Sequence, residues 1–483
     1  MTLNPEQYRA ERIQHWDNTA RQNERHANAG RFYHRRLEQV YRFLVPPGQR
    51  VLEIGCGSGD LLAALQPAAG VGVDFSPEML RRAQARHPQL TFIQADAHQF
   101  NRGEVFDVII LSDLVHDLWD VQQALKVARC HAGPATRIVL NFYSRLWELP
   151  LGLARALRLA HPVLNQNWLT TEDVANLLRL EDMEVVRSWR EVLLPLPVPL
   201  LAPFLNRVLV KLFPFNHAAL TNFVLARPTA VLGQPTAALP GPAHPPLVSV
   251  IVPARNEAGN IDQIFARTPE MGAGTELVFV EGHSTDDTYA AIEAAIAAHP
   301  QRRCRLLRQA GKGKGDAVRL GFNEACGEAL MILDADLTVP PEDLPRFYDA
   351  LASNKAEFVN GVRLIYPMEA QAMRFLNLLG NKFFSLVFSW LLGQTVKDTL
   401  CGTKVLWKKD YQRIAANRSY FGDFDPFGDF DLIFGAARLG LKHVDVPIRY
   451  RERKYGATNI QRWKHGALLL RMVAFAAGKI KFI

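Results

Sequence analysis

The 483-residue sequence lacks the cysteine pairs and the long apolar runs of disulfide-rich or membrane-spanning proteins. Its five cysteines are scattered and form no C-x-x-C pair, which indicates reduced thiols in a cytosolic setting. No stretch reaches the roughly 20 apolar residues of a transmembrane helix, and the polar first residues contain no apolar segment of a secretory signal. We therefore expect a cytoplasmic protein that contacts a membrane peripherally without crossing it.

The composition is that of a globular chain, with 48% hydrophobic and 22% charged residues, which excludes disordered, collagen-like and coiled-coil proteins. Lys and Arg number 56 against 48 Asp and Glu, and the excess is concentrated at the end of the chain. Residues 449–483 contain nine basic residues and one acidic residue, interleaved with aliphatic side chains. This basic tail favours phosphate or an anionic lipid surface as partner, and no nucleic acid is expected.

A proline-rich stretch divides the chain into two halves. Residues 229–246 hold five prolines and no Lys, Arg, Asp or Glu, which is typical of an interdomain linker. On both sides, apolar strand-like runs alternate with helical segments, which predicts two α/β domains with parallel sheets, at residues 1–228 and 247–483. Ligands of such sheets bind beyond the carboxyl ends of the strands, so the turns that follow the strands are the candidate sites.

The first half carries polar or glycine-rich turns after three successive strands. Gly55, Gly57 and Gly59 follow the run RVLEI, and glycines there allow positive φ and close approach of backbone N–H groups to a ligand. Asp74 ends the next strand about 20 residues later, where a carboxylate can bind both ribose hydroxyls. Asp96 ends a third strand. Together these turns predict one pocket for a nucleoside cofactor.

With Glu53 before the glycines, this pattern resembles class I S-adenosylmethionine-dependent methyltransferases, which have a Rossmann-like seven-stranded fold. The resemblance implies that Glu53 lies near the methionine amine and that Gly55 to Gly59 wrap the amino-acid part. It also implies that Asp74 holds the ribose and that Asp96 meets the adenine with Ala97. Further candidates are Ser112, after the fourth strand, and Phe75 and Met79, which are either walls of the adenine pocket or helix core.

The segment after the fourth strand lies beside the transferred methyl group in that family. Here it contains Ser112, Asp113 and His116. His116 is either a general base, because imidazole titrates near neutrality, or a solvated residue at a helix start. The apolar, proline-rich stretch 192–225 is an acceptor lid, a membrane-facing patch or buried interdomain packing. Nothing in these residues specifies the methyl acceptor.

The second half carries an aspartate pair after an apolar strand. In the run LDADL, Asp334 and Asp336 flank Ala335, and alternate residues of an extended segment face the same way. Mg²⁺ and Mn²⁺ commonly take one or two carboxylates and leave positions for a diphosphate, whose negative charge they neutralise as it departs. By itself such a pair is more often part of a surface loop, but after a strand and downstream of a lysine-bearing glycine loop it predicts a Mg²⁺ or Mn²⁺ site that binds a diphosphate.

Two earlier strand ends and a lysine-bearing glycine loop at 311–321 add polar groups suited to a nucleotide. With the aspartate pair they resemble family 2 glycosyltransferases of the dolichyl-phosphate mannosyltransferase and glucosyltransferase type, which have a GT-A-type fold. The resemblance implies a nucleotide-sugar donor and a polyprenyl-phosphate or related glycolipid acceptor. The residues expected to bind the donor are Pro253, Arg255, Glu257, Glu281, Lys312, Asp316, Asp334, Ala335 and Asp336.

The catalytic residues expected beside Asp336 depend on the acceptor. A polyprenyl phosphate is already anionic, so Arg363 and Arg453 would steer it, and alignment with charge neutralisation would drive transfer. A hydroxyl acceptor requires a carboxylate base, and the candidates are Asp398, Asp429 and Asp431. The last two are alternatively part of a hydrogen-bonded loop that orients its neighbours.

An apolar stripe at helical spacing in 372–393 is either core or a helix in the lipid interface. Its members are Leu376, Leu379, Phe383, Leu386, Val387 and Trp390. With the basic tail, the stripe favours peripheral attachment to a membrane. The two resemblances together favour a bifunctional enzyme that joins a methyltransferase to a glycosyltransferase acting on a lipid-phosphate or related membrane acceptor. One alternative is a glycosyltransferase with a non-catalytic S-adenosylmethionine-binding regulatory domain. Another, a processive polysaccharide synthase, is disfavoured because its Q-x-x-R-W motif and membrane spans are missing.

Overall fold

The structure is a computed structural model that describes residues 4–22, 28–156, 164, 166–229, 244–363, 375–420, 429–451, 455 and 462–483. The chain divides into two compact units, Met1–Leu239 with Phe482–Ile483, and Pro240–Lys481. Each unit contains one seven-stranded sheet with helices, which confirms the α/β fold with two domains. Most of the linker predicted at 229–246 lies outside the described residues, and its limits stay a prediction.

The first unit alternates strands and helices along most of its length. Its strands are β1 (Arg50–Ile54), β2 (Ala69–Asp74), β3 (Thr91–Gln94), β4 (Phe106–Ser112), β5 (Ala132–Tyr143), β6 (Met183–Glu191) and β7 (Thr221–Pro228). Its helices are α1 (Pro5–Gln22), α2 (Asn28–Leu44), α3 (Asp60–Ala64), α4 (Pro77–Arg86), α5 (Val121–Cys130), α6 (Glu148–Ala156), α7 (Thr171–Leu180) and α8 (Leu201–Arg207).

The first sheet has the order β3-β2-β1-β4-β5-β7-β6 and is parallel except for β7. The wholly parallel sheet expected from the sequence is not found, because the segment that follows β6 enters β7 from the same edge of the sheet at which β6 ends. Thr221 at the start of β7 is paired with both Tyr143 and Glu191, the last residues of β5 and β6. The carboxyl ends of β5 and β6 and the start of β7 therefore share one edge.

Apolar runs explain the buried strands, and polar caps explain where helices begin. In β1 and β4 most side chains are buried, as expected for strands covered by helices on both faces. Helix α7 begins at a capping box in which Thr170 and Asp173 each bind the other's backbone N–H. Helix α5 begins after Asp120, whose carboxylate accepts a hydrogen bond from Gln123 N at 3.0 Å.

The second unit follows the same alternation. Its strands are β8 (Val248–Ala254), β9 (Thr275–Glu281), β10 (Arg303–Arg308), β11 (Ala329–Ile332), β12 (Phe358–Val362), β13 (Lys404–Trp407) and β14 (His443–Pro447). Its helices are α9 (Ile261–Arg267), α10 (Thr288–Ala298), α11 (Lys314–Glu324), α12 (Leu344–Ala352), α13 (Phe375–Leu392), α14 (Lys408–Ala416), α15 (Asp429–Arg438) and α16 (Arg462–Ala476).

The second sheet has the order β10-β9-β8-β11-β13-β12-β14, and only β13 runs antiparallel to its neighbours. Asn360 near the end of β12 is paired with Lys404 at the start of β13. The segment between these strands therefore leaves from and returns to the edge at which β11 ends. That edge carries most of the predicted donor-site residues.

Within the described ranges, no helix has both the length and the hydropathy needed to span a bilayer. Helix α13 is nevertheless apolar on two sides. Phe384 and Phe388 are buried, whereas Phe383, Leu386 and Trp390 are exposed by 53%, 74% and 39%. The predicted stripe is thus solvent-exposed at these three positions, and the side chains of residues 376–379 lie outside the description.

Candidate active sites

The glycine turn after β1 adopts the backbone conformation that the sequence predicts. Gly55, Gly57 and Gly59 have φ values of 76°, 48° and 72°, in the left-handed region that favours glycine. Asp74, at the end of β2, accepts hydrogen bonds from Gly57 N and Ser76 N, both at 2.9 Å. The Asp74 carboxylate therefore fixes the turn at the edge of the sheet.

Glu53 is a buried carboxyl group beside this turn. Its Oε2 atom has no hydrogen-bond partner among the described residues. Burial, with repulsion from Asp74 and Asp60, raises the pKa of Glu53 to about 8. A buried polar atom without a partner costs free energy, and a bound donor group would remove that cost. The chemistry of Glu53 thus fits the amine of an amino-acid cofactor.

The adenine side of the pocket is predicted at the end of β3. Asp96 accepts hydrogen bonds from His98 N at 2.9 Å and His98 Nδ1 at 2.5 Å, and Arg9 Nε lies 3.3 Å away. The hydrogen bond from His98 lowers the pKa of Asp96, with a further contribution from Arg9. Met79 and Ala97 are buried, and Phe75 is half-buried. Helix α1 therefore contacts the predicted adenine end of the site through Arg9, which the sequence did not indicate.

A buried hydrogen-bond network lies at the carboxyl ends of β4 and β5. Asn141 Nδ2 donates to Asp113 Oδ1 at 2.7 Å, and Asn141 Oδ1 accepts from Ser112 Oγ and Tyr41 OH, both at 2.8 Å. Tyr33 OH donates to the same Asp113 oxygen at 3.0 Å. Burial raises the pKa of Asp113 to about 7. The sequence placed Ser112 here but could not indicate Tyr33, Tyr41 or Asn141, which come from distant segments.

His116 is buried rather than solvated. It lies in a 3-10 turn, Val115–Asp117, and stacks on Tyr143 with ring centroids 4.7 Å apart. The solvated alternative for His116 is therefore wrong, because the turn after β4 folds back against the end of β5. Whether His116 acts as a base stays a prediction.

In the second unit, Asp334 pairs with a lysine that the sequence analysis did not select. Lys314 Nζ lies 2.5 Å from Asp334 Oδ1. Burial raises the pKa of Asp334, but Lys314, Lys404 and Arg363 together hold it below its ordinary value. Lys312, the predicted lysine, is exposed. Helix α11 begins two residues later, at Lys314, and it is the side chain of Lys314 that reaches Asp334.

Gly402 allows this close arrangement. A Cβ atom at that position would lie 2.0 Å from Asp334 Oδ2 and 2.3 Å from Lys314 Nζ. Asp336 accepts hydrogen bonds from Thr338 N at 3.1 Å and Thr338 Oγ1 at 2.7 Å. The turn after β11 and the segment before β13 are therefore in direct contact around Asp334.

The two aspartates fit a divalent cation that is shared with a bound phosphate. Both supply hard carboxylate oxygens, and the lowered pKa keeps Asp334 ionised. In the part of the chain that the structure describes, no group of three or more acidic, histidine or cysteine side chains could hold a metal alone. Mg²⁺ and Mn²⁺ commonly take their remaining ligands from substrate phosphates and water.

The other predicted donor residues lie along the same edge. Glu257 N donates to Thr288 Oγ1 at 2.9 Å, and Glu281 Oε1 accepts from Ser284 N at 2.5 Å. Asp316 Oδ2 accepts a long hydrogen bond from Gln309 Nε2 at 3.3 Å. Three residues complete the set: Pro253 is half-buried, Arg255 is exposed and Ala335 is buried.

Arg363 and Asp398 form a buried bidentate ion pair. Arg363 Nε donates to Asp398 Oδ2 at 2.7 Å, and Nη2 donates to Oδ1 at 2.8 Å. The carboxylate also accepts from Asn381 Nδ2, Leu400 N and Arg363 N. Burial alone raises the pKa of Asp398, but Arg363 and these donors lower it to about 2. A carboxylate so fully engaged is suited to orienting Arg363.

The remaining predicted catalytic residues are only partly described. Asp431 Oδ2 accepts from Arg418 Nε at 2.8 Å and is buried on α15. The side chain of Asp429 and all of Arg453 lie outside the described residues. Their roles stay predictions.

Comparison with known proteins agrees with the division into these two domains. Residues 51–134 match a methyltransferase domain and residues 249–411 match glycosyl transferase family 2. The chain is 29% identical over 220 residues to the dolichol-phosphate mannosyltransferase of Pyrococcus furiosus, covering 44% of this chain and 59% of that protein. It is 31% identical over 111 residues to the undecaprenyl-phosphate 4-deoxy-4-formamido-L-arabinose transferase of Sodalis glossinidius, covering 22% and 34%.

Among solved structures, a Thermotoga maritima S-adenosylmethionine-dependent methyltransferase, described as a possible histamine N-methyltransferase, is 16% identical with a TM-score of 0.35. It covers 44% of this chain and 99% of its own. This chain spans only 59% of the Pyrococcus furiosus relative, so the similarity extends over part of that protein and not over its whole length. The chain carries a methyltransferase domain in its first half and a glycosyltransferase family 2 domain in its second half.

Proposed function

We propose that the second half transfers a sugar from a nucleotide donor to a polyprenyl phosphate. The observation that carries this proposal is the joint placement of Asp334, Asp336, Lys314 and the Arg363–Asp398 pair around one strand edge. The similarity to polyprenyl-phosphate sugar transferases points to the same acceptor class.

Each group at this edge has a distinct task in the proposed reaction. Mg²⁺ or Mn²⁺ held by Asp334 and Asp336 would neutralise the charge that develops on the diphosphate leaving group. Lys314, which pairs with Asp334, is a second cation for the same diphosphate. Asp398 holds Arg363 in one orientation, and Arg363 positions the acceptor phosphate. The acceptor oxygen is already anionic, so the reaction needs no general base.

We propose that the first half transfers a methyl group from S-adenosylmethionine. Asp74 and the glycine turn would hold the ribose and amino-acid parts, and Glu53 would accept a hydrogen bond from the amine. The network of Asp113, Tyr33 and Asn141 is placed to orient a methyl acceptor, since it follows β4 and β5 at the same edge.

The glycosyl transfer is tested with the full chain and labelled nucleotide sugars. We expect Mn²⁺-dependent transfer of label to polyprenyl phosphate, and its loss in the Asp334→Ala/Asp336→Ala variant. Asp349→Ala, an exposed aspartate on α12, serves as the matched control and retains activity. Undiminished turnover in the double variant would refute the metal site.

The methyl transfer is tested by calorimetry with S-adenosylmethionine and by incubation of the labelled cofactor with extracted lipids. We expect binding that is lost in Glu53→Ala, together with transfer of labelled methyl groups to a lipid fraction. Binding without transfer to any fraction would instead favour the regulatory-domain alternative.

Peripheral attachment to a membrane is part of the same proposal. The exposed side chains of Phe383, Leu386 and Trp390 lie at i, i+3 and i+7 on one face of α13. Lys481 Nζ lies 5.0 Å from the centre of the Trp390 ring. Aromatic, aliphatic and basic groups together are typical of a helix at a lipid interface.

A further inference from the structure

The first unit has its own exposed apolar surface, formed by two segments that both start at the cofactor edge of its sheet. The first comprises residues 144–156, from the end of β5 through α6. The second comprises residues 192–220, the insertion between β6 and β7, with α8. We call residues 144–156 and 192–220 together the apolar rim.

The apolar rim exposes large side chains that a globular surface ordinarily spreads apart. Leu149 is 83% exposed on α6, and Leu200 and Phe213 are 89% and 80% exposed on the insertion. Leu146, Leu153 and Phe204 are also more than half exposed. The two segments are joined at their base, where Trp147 Nε1 donates to Ala218 O at 2.9 Å, and large exposed apolar side chains grouped on such segments point to a site of interaction.

The base of the rim is rigidly held. Leu220 N donates to Val192 O and Ser144 N donates to Leu220 O, both at 2.7 Å, so both segments start from one point. Asn206 accepts hydrogen bonds from Leu193 N and Leu194 N at 2.8 Å, which closes the insertion on α8.

A buried ion cluster anchors the same base. Glu191, at the end of β6, pairs with Arg36 at 2.9 Å and with Lys211 of the insertion. Burial raises the pKa of Glu191, but Lys211 and Arg36 lower it below its ordinary value. The exposed side chains are therefore presented by an ordered scaffold.

The charges of the rim favour an anionic lipid surface as its occupant. The insertion 192–220 contains no acidic residue, and segment 144–156 contains one, Glu148. Arg145 and Arg207 are exposed within the rim. Apolar and aromatic side chains with basic neighbours match the interface of an anionic bilayer, where apolar groups enter the acyl boundary and cations meet headgroups.

The rim also borders the candidate methyl-acceptor end of the pocket. Tyr143, the last residue of β5, stacks on His116 and lies 6.0 Å from the ring of Tyr33, which binds Asp113. Ser144, the next residue, begins the rim. We propose that the apolar rim docks on an anionic bilayer and that the methyl acceptor is a molecule resident in that bilayer, an inference that rests on the proposed methyl transfer.

The test uses nitroxide labels on the full chain in a background where the exposed thiols Cys130 and Cys326 are replaced by serine. Labels at Leu200→Cys and Phe213→Cys are compared with labels at Val105→Cys and Leu180→Cys. The latter two are exposed by 49% and 58% and lie at the opposite edge of the same sheet. Collision with a water-soluble nickel chelate is measured with and without phosphatidylcholine/phosphatidylglycerol vesicles.

Vesicles are expected to protect positions 200 and 213 and to leave positions 105 and 180 accessible. In the Leu200→Gln/Phe213→Gln variant, methyl transfer to vesicle-borne lipid should fall by about a hundredfold, roughly tenfold for each lost apolar contact. S-adenosylmethionine affinity, measured by calorimetry, should stay unchanged.

Two results would overturn the proposal: unprotected labels in the presence of vesicles, or protection without vesicles in a chain that elutes as a dimer. In the second case, another copy covers the rim. Failure to bind S-adenosylmethionine would refute the proposed methyl transfer and, with it, a bilayer-resident methyl acceptor. The labels at positions 200 and 213 would still report on docking separately, so the two failures are distinguishable.

Discussion

Replacing Asp398 by asparagine leaves a buried guanidinium without its counter-charge. Asp398 is fully buried and Arg363 is 8% exposed, and two short hydrogen bonds join them. Removing one partner of such a pair costs about 3–5 kcal/mol. The lowered pKa of Asp398 gives a somewhat smaller free energy for the pair. A fall in pKa from 3.8 to about 2 corresponds to about 2 kcal/mol at about 1.4 kcal/mol per pKa unit. We therefore expect Asp398→Asn to lower the free energy of opening around this pair by about 3 kcal/mol.

The assay is hydrogen–deuterium exchange of peptides that contain Arg363 and Leu400, whose backbone N–H groups both donate to Asp398. A loss of about 3 kcal/mol reduces protection by about a hundredfold. Since the pKa of Asp398 is lowered in the folded state, its contribution is present above about pH 4 and disappears as the pH falls toward 2.

Two controls set the scale of the Asp398→Asn result. Asn381→Ala removes one hydrogen bond to the same carboxylate and should cost about 1 kcal/mol. Asp343→Asn removes an exposed pair with Arg346 and should cost less than about 0.5 kcal/mol. If protection in Asp398→Asn equals that of the wild type while turnover is abolished, Asp398 is a base and the orienting role is refuted.

Three further predictions concern the two pockets. Burial raises the pKa of Glu53 to about 8 and that of Asp113 to about 7, so we expect the thermal stability of the wild type to fall as the pH rises from about 5 to 8. In Glu53→Gln this fall should become shallower, because only the Asp113 contribution remains; parallel pH profiles would contradict this. In Lys314→Gln, the affinity for Mn²⁺ in the absence of donor should rise by about tenfold, because Asp334 no longer pairs with a competing cation. Electron paramagnetic resonance measures this affinity, and an unchanged value would refute the competition. Gly402→Ala should abolish the binding of Mn²⁺ and donor measured by calorimetry, because the added methyl group would collide with Asp334. Gly466→Ala, which has open space around it, should bind both normally. Retained binding in Gly402→Ala would show that the backbone before β13 shifts to accommodate the methyl group.

Most of the fold could be predicted from local patterns in the sequence. Alternating apolar runs and helical segments indicated two α/β domains, because strand and helix periodicities are properties of neighbouring residues. The glycine turn at Gly55 to Gly59 followed from the same logic, since its positive φ values are a local backbone requirement. The antiparallel strands β7 and β13 were not anticipated, because strand direction depends on which edge the chain returns to.

The candidate sites divide in the same way. The sequence by itself determined that Glu53, Asp74, Asp334 and Asp336 lie close to strand ends, because each lies within or shortly after an apolar run. Only the tertiary structure decided which partners those carboxylates meet: Lys314 for Asp334, and the Gly57 and Ser76 N–H groups for Asp74. Such contacts depend on the register between strands and on the rotation of each helix, and no short stretch of sequence encodes either.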